Sequence, residues 1–201
     1  GANGSITPSG AVAQDYGADP VFTITPDVGY HVLDVLVDGA SVGAVESYTF
    51  TGISANHTIA ASFAIDTFTI TATAGANGSI TPSGAVAQDY GADPVFTITP
   101  DVGYHVADVL VDGESVGVLT SYTFTDVSAN HTIAASFAAD TFTLSYTAGT
   151  GGTLTGSASQ TVNYGEDGTL VTAVPNTGYH FVDWSDGVTT ASRTDLDIVA
   201  N

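Results

Sequence analysis

GANGSITPSGAVAQDYGADPVFTITPDVGYHV occupies residues 1–32 and returns unchanged at residues 75–106, a period of 74 residues. Over the longer ranges 1–66 and 75–140 the two copies differ at eight positions: Leu33/Ala107, Ala40/Glu114, Ala44/Val118, Val45/Leu119, Glu46/Thr120, Gly52/Asp126, Ile53/Val127 and Ile65/Ala139. A third, diverged copy starts at Thr141. There TFTLSYTAG answers the TFTITATAG that starts at Thr67, and GYHFVDWSDG, residues 178–187, answers GYHVADVLVDG at 103–113. The chain therefore reads as repeat one at 1–66 without its first strand, a complete repeat two at 67–140, and repeat three at 141–201 without its last strand. Two accounts fit: a window in a longer array, or neighbouring molecules that complete each other. The first is favoured because neither end holds a spare strand to donate.

Within a repeat the apolar period is two, the mark of half-buried strands. Thr67-Phe68-Thr69-Ile70-Thr71-Ala72, Val21–Thr25, Tyr48–Thr51 and His57–Phe63 all alternate in this way. Ala11–Tyr16 reads as a strand too, being too short for a helix. Turn signals separate these runs: Asn3-Gly4, Pro8-Ser9-Gly10, Tyr16-Gly17, Pro26-Asp27 and Asp38-Gly39. No 3.6-residue pattern appears. The expected class is all-β, a tandem array of three small β-sandwich or β-grasp-like domains of about 74 residues, a size that folds alone only marginally. The first and last domains are expected to be incomplete.

Composition narrows the function. One Arg and no Lys stand against 21 Asp plus Glu, a formal net charge of −20. Nucleic-acid binding is excluded on this charge, because phosphate contacts need clustered cations. Docking on anionic lipid is disfavoured for the same reason, and no apolar stretch approaches the ~18 residues of a membrane span. P-loop, Schiff-base and isopeptide chemistry need the missing lysine. The absence of Cys removes disulfides and thiol nucleophiles. No basic, then apolar, leader opens the sequence. Hydrophobic residues at 43% exclude a disordered chain.

The segments GYHFVDWSDG at 178–187, ANHTI at 129–133 and YGED at 164–167 resemble the divergent internalin B-repeat, or Listeria–Bacteroides repeat. The resemblance covers essentially the whole chain. Repeats one and two depart from the family core at Val35 and Val109, where repeat three carries Trp184. The resemblance implies tandem surface-protein modules of prokaryotes, extracellular or on the cell surface, a β-grasp-like fold and no catalytic residues.

Several residue sets are candidates for chemistry. Gly39–Gly43 and Gly113–Gly117 match G-x-S-x-G, with Ser41 or Ser115 as nucleophile, His31 or His57 as base and Asp34 as orienter. That elbow needs a strand-to-helix turn, whereas Asp38-Gly39 is a hairpin signal, so turn glycines are the expected reading. Asp34 with Asp38, and Asp108 with Asp112, lie four apart on a strand, hence on one face. With Asp15, Asp19 and Asp27 they are the weak Ca²⁺ candidates. No other cofactor is expected, and a solvated acidic face is the plainer account. His31, His57, His105, His131 and His180 recur at equivalent positions without metal spacing and read as hydrogen bonders at strand starts. Tyr179, Phe181 and Trp184 form a possible ligand contact for glycan. As a strand, this segment sets Trp184 opposite in parity to the other two, which makes it a core residue. Asn3, Asn56, Asn77 and Asn130 stand in N-x-S/T sequons, possible glycosylation sites.

The expectation is a non-enzymatic extracellular structural array: a stalk, spacer or filament subunit that assembles by terminal strand pairing. Its partners would be other copies of itself or flanking repeats of a longer chain. The alternative is an adhesin module binding glycan or a surface protein through the third repeat.

Overall fold

The computed structural model describes residues 2–200, and among them every regular element is a strand. The first repeat contributes β1 (Gly4–Thr7), β2 (Val21–Pro26), β3 (Tyr30–Val37), β4 (Ala40–Gly43), β5 (Ser47–Thr49) and β6 (Ile59–Ile65). They form two antiparallel three-stranded sheets, ordered β1-β2-β5 and β4-β3-β6. Alternation puts Ile6 opposite Ile24 on the first sheet, and in the second a register shift between Val32 and Asp34 lets Val32 and Val35, three residues apart, both face inward. These residues make one core, with Ile24, Val32 and Val35 buried and Val45, Ile59, Ala61 and Phe63 packed around them. Two small sheets facing across one layer of aliphatic side chains is the sandwich solution. Asp38-Gly39 closes the β3–β4 hairpin with both residues at positive φ, 51° and 82°, the geometry that favours Asp-Gly in such turns.

The second repeat contributes β7 (Thr67–Ala74), β8 (Gly78–Thr81), β9 (Gly84–Asp89), β10 (Val95–Pro100), β11 (Tyr104–Val111), β12 (Glu114–Gly117), β13 (Ser121–Thr123) and β14 (His131–Ala139). Its sheets run β13-β10-β8 and β12-β11-β14-β7-β9. The Thr69 N–H donates to Asn130 Oδ1 at 2.8 Å and the Gly75 N–H to the Ala135 carbonyl at 2.9 Å. Position therefore advances in step along β7 and β14, so the first and last strands of this repeat run parallel. The third repeat contributes β15 (Thr141–Ser145), β16 (Gly152–Thr155), β17 (Ser159–Asn163), β18 (Val171–Pro175) and β19 (Ser192–Arg193), in sheets β15-β17 and β16-β18-β19. The chain also divides into two compact units. One holds the first repeat through Ala72 with Pro82–Phe96 and Ser121–Ile133; the other holds Thr73–Thr81, Thr97–Thr120 and the residues from Ala134.

Two expectations about strands are corrected. GAVAQD is a strand at 84–89, paired along β7 from Thr67↔Asp89 to Ala72↔Gly84. The identical GAVAQD at 10–15 forms none, because no counterpart of β7 lies beside it. Likewise residues 178–183 are not a strand, although their counterparts in β3 pair along β6 from Tyr30↔Ile65 to Val37↔Ile59. Among the described residues, repeat three has no counterpart of β6. An isolated extended segment has no ladder to hold it, so strand formation here is decided by the neighbour.

Candidate functional site

Two joints between successive repeats have the same construction. At the first, Gly29 sits at φ 79°, a conformation that L side chains rarely adopt. It is the third residue of the turn in which the Tyr30 N–H donates to the Asp27 carbonyl at 3.0 Å. The Tyr90 ring lies flat against this glycine, so close that a Cβ there would fall 2.7 Å from Cε1 and nearer still to Cδ1. Asp66, the single residue between β6 and β7, ties the parts together. Its N–H donates to the Gly29 carbonyl at 2.9 Å, its carbonyl accepts the Tyr90 N–H at 2.9 Å, and its Oδ1 meets His31 Nδ1 at 2.8 Å. The second joint repeats this with Gly103 (φ 80°), Tyr164, Asp140 and His105 at backbone distances of 2.8 Å and an imidazole–carboxylate distance of 2.8 Å. The counterparts without a neighbour are bare. Tyr16 is 89% exposed, nothing lies within 4 Å of a Cβ built on Gly178, and His180 has no hydrogen-bond partner among the described residues.

The acidic and hydroxyl candidates take up local backbone and side-chain bonds. Ser41 Oγ donates to Asp34 Oδ1 at 2.6 Å, and Ser115 Oγ to Asp108 Oδ1 at 2.7 Å. His31 is held by Asp66, and His57 Nδ1 meets Asp38 Oδ2 at 2.7 Å, so serine, histidine and aspartate are not brought together as a nucleophilic relay. Asp34 lies in β3, whereas Asp38 lies past its end in the turn. There its carboxylate accepts the Thr58 N–H at 2.8 Å, and the His57 hydrogen bond, followed by this one, holds it below the usual aspartate range. Asp19 is spent on the Gly52 N–H at 2.6 Å, and Asp27 lends its carbonyl to the Tyr30 turn. Asp15 likewise accepts the Ala18 N–H through its carbonyl. Among the described residues no three His, Asp or Glu side chains gather as a metal site requires. Asn3, Asn56, Asn77 and Asn130 are all exposed; Asn3 and Asn77 sit in turns at φ 71°, and Asn130 is held by Thr69.

The third repeat carries a groove of about 610 Å³ walled by Ser145–Thr147 on one side and Tyr179–Asp186 on the other, with Arg193 and Asp195 at its floor. Trp184 is half-buried, its Nε1–H donating to the Thr190 carbonyl at 2.9 Å. Its ring meets Phe181 at 5.7 Å and Tyr146 edge-on at 6.1 Å. Since 178–183 is not a strand, the expected opposite parity of Trp184 does not apply, and all these aromatics reach the one groove. Tyr179 remains 63% exposed over Gly151. The chain's only cation is caged here: the Arg193 guanidinium lies 5.4 Å from the Trp184 ring centre and 6.0 Å from that of Tyr146. It pairs with Asp186 at 2.9 Å and forks onto Asp195. Burial, then the hydrogen bond to Asp195 Oδ2 at 2.7 Å, pushes the Tyr146 phenol up to about 12.

Sequence reasoning missed the glycine–tyrosine–aspartate joints and the Arg193 cage. A signal for the joints was present: Tyr16, Tyr90 and Tyr164 stand 74 residues apart, and Gly29, Gly103 and Gly178 answer them. The cage had none, because Tyr146, Arg193 and Asp195 have no counterparts of the same type in the other repeats, and Asp186 answers Asp38 and Asp112, which read as turn residues.

No helix among the described residues is long and apolar enough to cross a membrane. No curated protein and no solved structure matches the chain. The divergent InlB B-repeat domain matches it three times, over residues 1–67, 68–141 and 142–200. With a two-sheet core and single-aspartate joints at this period, the chain belongs to the divergent InlB B-repeat family, a class of repeat typical of bacterial surface proteins, as three tandem copies.

Proposed function

We propose that the chain is a non-enzymatic structural segment of a bacterial surface protein, a stalk or spacer whose task is to hold other parts at a set distance outside the cell. The observation that carries this reading is the joint. One residue separates the last strand of a repeat from the first strand of the next, and its backbone bonds to both repeats. Joints of this kind restrict hinging, and near-identical units give a uniform step. A net charge of −20 supports solubility and opposes unscreened association.

Antibody labelling of intact producing cells tests this reading. Decoration of external stalks or fibres is expected; antigen reached only after lysis overturns it. A serine-reactive phosphonate is expected to leave Ser41 and Ser115 unlabelled in the folded chain. The third-repeat groove, rimmed by the exposed Tyr179, favours a second reading, an adhesin module for glycan or a surface protein. It predicts binding on a glycan panel that Tyr179→Ala abolishes.

A further inference from the structure

The four sequons are of two kinds. In Asn56-His57-Thr58 the turn aspartate takes the threonine: the Thr58 hydroxyl donates to Asp38 Oδ1 at 3.4 Å and the Thr58 N–H to the same oxygen at 2.8 Å. In Asn130-His131-Thr132 the carboxamide is engaged, its Oδ1 accepting the Thr69 N–H at 2.8 Å. Asn3-Gly4-Ser5 and Asn77-Gly78-Ser79 differ. Their Asn and Ser side chains are exposed and have no hydrogen-bond partner among the described residues. Each asparagine sits at φ 71°, and its carbonyl ties the turn by accepting the N–H of Asp27 or Asp101 at 3.0 Å. The turn does not require asparagine, because the third repeat fills the same position with Gly151 at φ 91°. The middle glycine, by contrast, is fixed by packing, since a Cβ on Gly4 or Gly78 would collide with the ring of Phe63 or Phe137. Each serine lies on a strand at the margin of its sheet, β1 in β1-β2-β5 and β8 in β13-β10-β8. The β8 margin has no charge to protect it: no charged residue falls between Asp66 and Asp89, although charge is a usual guard against edge pairing.

We propose that Asn77 and Asn3 are acceptors of an N-linked saccharide, and that the saccharide guards the strand edge beside each. The proposal rests on the surface-protein reading, since Asn-x-Ser/Thr glycans are carried by exposed segments of exported proteins. The donor class is a saccharide activated as a lipid-linked diphosphate and delivered by a host transferase. Asn77 Nδ2 forms the new bond to the anomeric carbon while the bond from that carbon to the phosphate oxygen breaks. The electron pair leaves with the diphosphate, and the transferase takes one Nδ2 proton. This step needs a carboxamide free to turn and a hydroxyl free to be gripped. The two Asn-Gly-Ser turns offer both. At Asn130 the carboxamide is held by Thr69, and at Asn56 the sequon hydroxyl is held by Asp38. A saccharide just ahead of β8 covers that edge with a bulky, hydrated group. Repeats that match at almost every position are the case in which open edges lead to misassembly. The third repeat has the different sequence GTLT in its marginal strand β16 and carries no sequon before it.

The test reads the protein purified from its producing cells. With one Arg and no Lys, trypsin leaves the repeats uncut, so cleavage before aspartate is used; it releases Asn77 in fragment 66–88 and Asn130 in fragment 126–139. Tandem mass spectrometry is expected to find saccharide on Asn77 and none on Asn130. Ser79→Ala leaves Asn77 and its turn in place and is expected to abolish the modification there, which a non-enzymatic adduct would survive. Ser5→Ala combined with Ser79→Ala is expected to increase self-association by sedimentation in about 0.5 M salt, where charge repulsion is screened within a few ångströms. Unmodified Asn77 in protein that antibodies label on the cell exterior overturns the proposal and leaves the surface reading intact. Equal modification of Asn130, or saccharide retained in Ser79→Ala, overturns it as well. Loss of saccharide without a change in association overturns the guarding role alone. Antigen reached only after lysis overturns the surface reading, and the fragment masses still decide the modification.

Discussion

Replacing Gly29 by Ala tests the joint at its tightest point. Two costs add. An alanine at φ 79° carries the left-handed penalty of about 1–2 kcal/mol. Its Cβ also displaces the Tyr90 ring, and unseating a half-buried aromatic forfeits about half of the ~1.5–3 kcal/mol of full burial. The sum is roughly 2–3.5 kcal/mol. Gly17→Ala is the internal reference, because Gly17 has φ 80° and nothing within 4 Å of its would-be Cβ; it should cost about 1–2 kcal/mol. The assay is a double-mutant cycle in urea unfolding, joined to native-state hydrogen exchange at the Asp66 and Tyr90 amides. In a Tyr90→Ala background, Gly29→Ala should fall back to the Gly17→Ala cost, a coupling of about 1–1.5 kcal/mol. Exchange protection of the two joint amides should drop about tenfold or more in Gly29→Ala and stay unchanged in Gly17→Ala. If the cycle closes with no coupling and the amides keep their protection, the joint does not hold the repeats and the argument fails.

Tyr90→Ala should cost about 1 kcal/mol or more, whereas Tyr16→Ala should be neutral within ~0.5 kcal/mol, although the two residues share their flanking sequence; denaturant midpoints separate them. Asp38 is held below its ordinary value by His57 and Thr58, so its contribution is present above the unfolded aspartate value of about 3.9 and is lost as pH falls through the lower folded one. Acid titration of Asp38→Asn should accordingly be flatter than that of the wild type below about pH 4. Tyr146 is raised to about 12. Its contribution is therefore full below the unfolded tyrosine value of about 10 and is lost as pH rises towards the folded one. Ultraviolet titration of Tyr146→Phe should lack the latest-ionising phenol. Arg193→Gln should cost on the order of 1–3 kcal/mol through its charge-assisted bonds and should alter Trp184 fluorescence, since the guanidinium lies 5.4 Å from that ring.

Alternating Thr and apolar residues at 67–72, with Asp38-Gly39 between two such runs, was sufficient to read strands and their hairpin, because period and turn chemistry are local properties. GAVAQD marks the limit. The same six residues are a strand at 84–89 and not at 10–15, and no window of sequence distinguishes them, since the difference is a partner strand more than ten residues away. The segment at 178–183 was misread for the same reason. Spacing along the chain put both carboxylates on one strand, but β3 ends at Val37 and Asp38 falls in the turn, where His57 and Thr58 take its carboxylate. The 74-residue period was evident, yet the joint itself was not. A glycine, a tyrosine and an aspartate from three different turns carry no motif until the fold brings them together.

The parallel pairing of β7 and β14 has a mechanical consequence. Within the second repeat, the strand where the chain enters and the strand where it leaves are neighbours running the same way. Tension applied along the chain pulls them past each other lengthwise, so the hydrogen bonds between them are loaded together in shear instead of being unzipped one at a time. Asp66 and Asp140, with no slack on either side, pass that load directly from one sheet to the next. A repeat of this design yields abruptly and at high force.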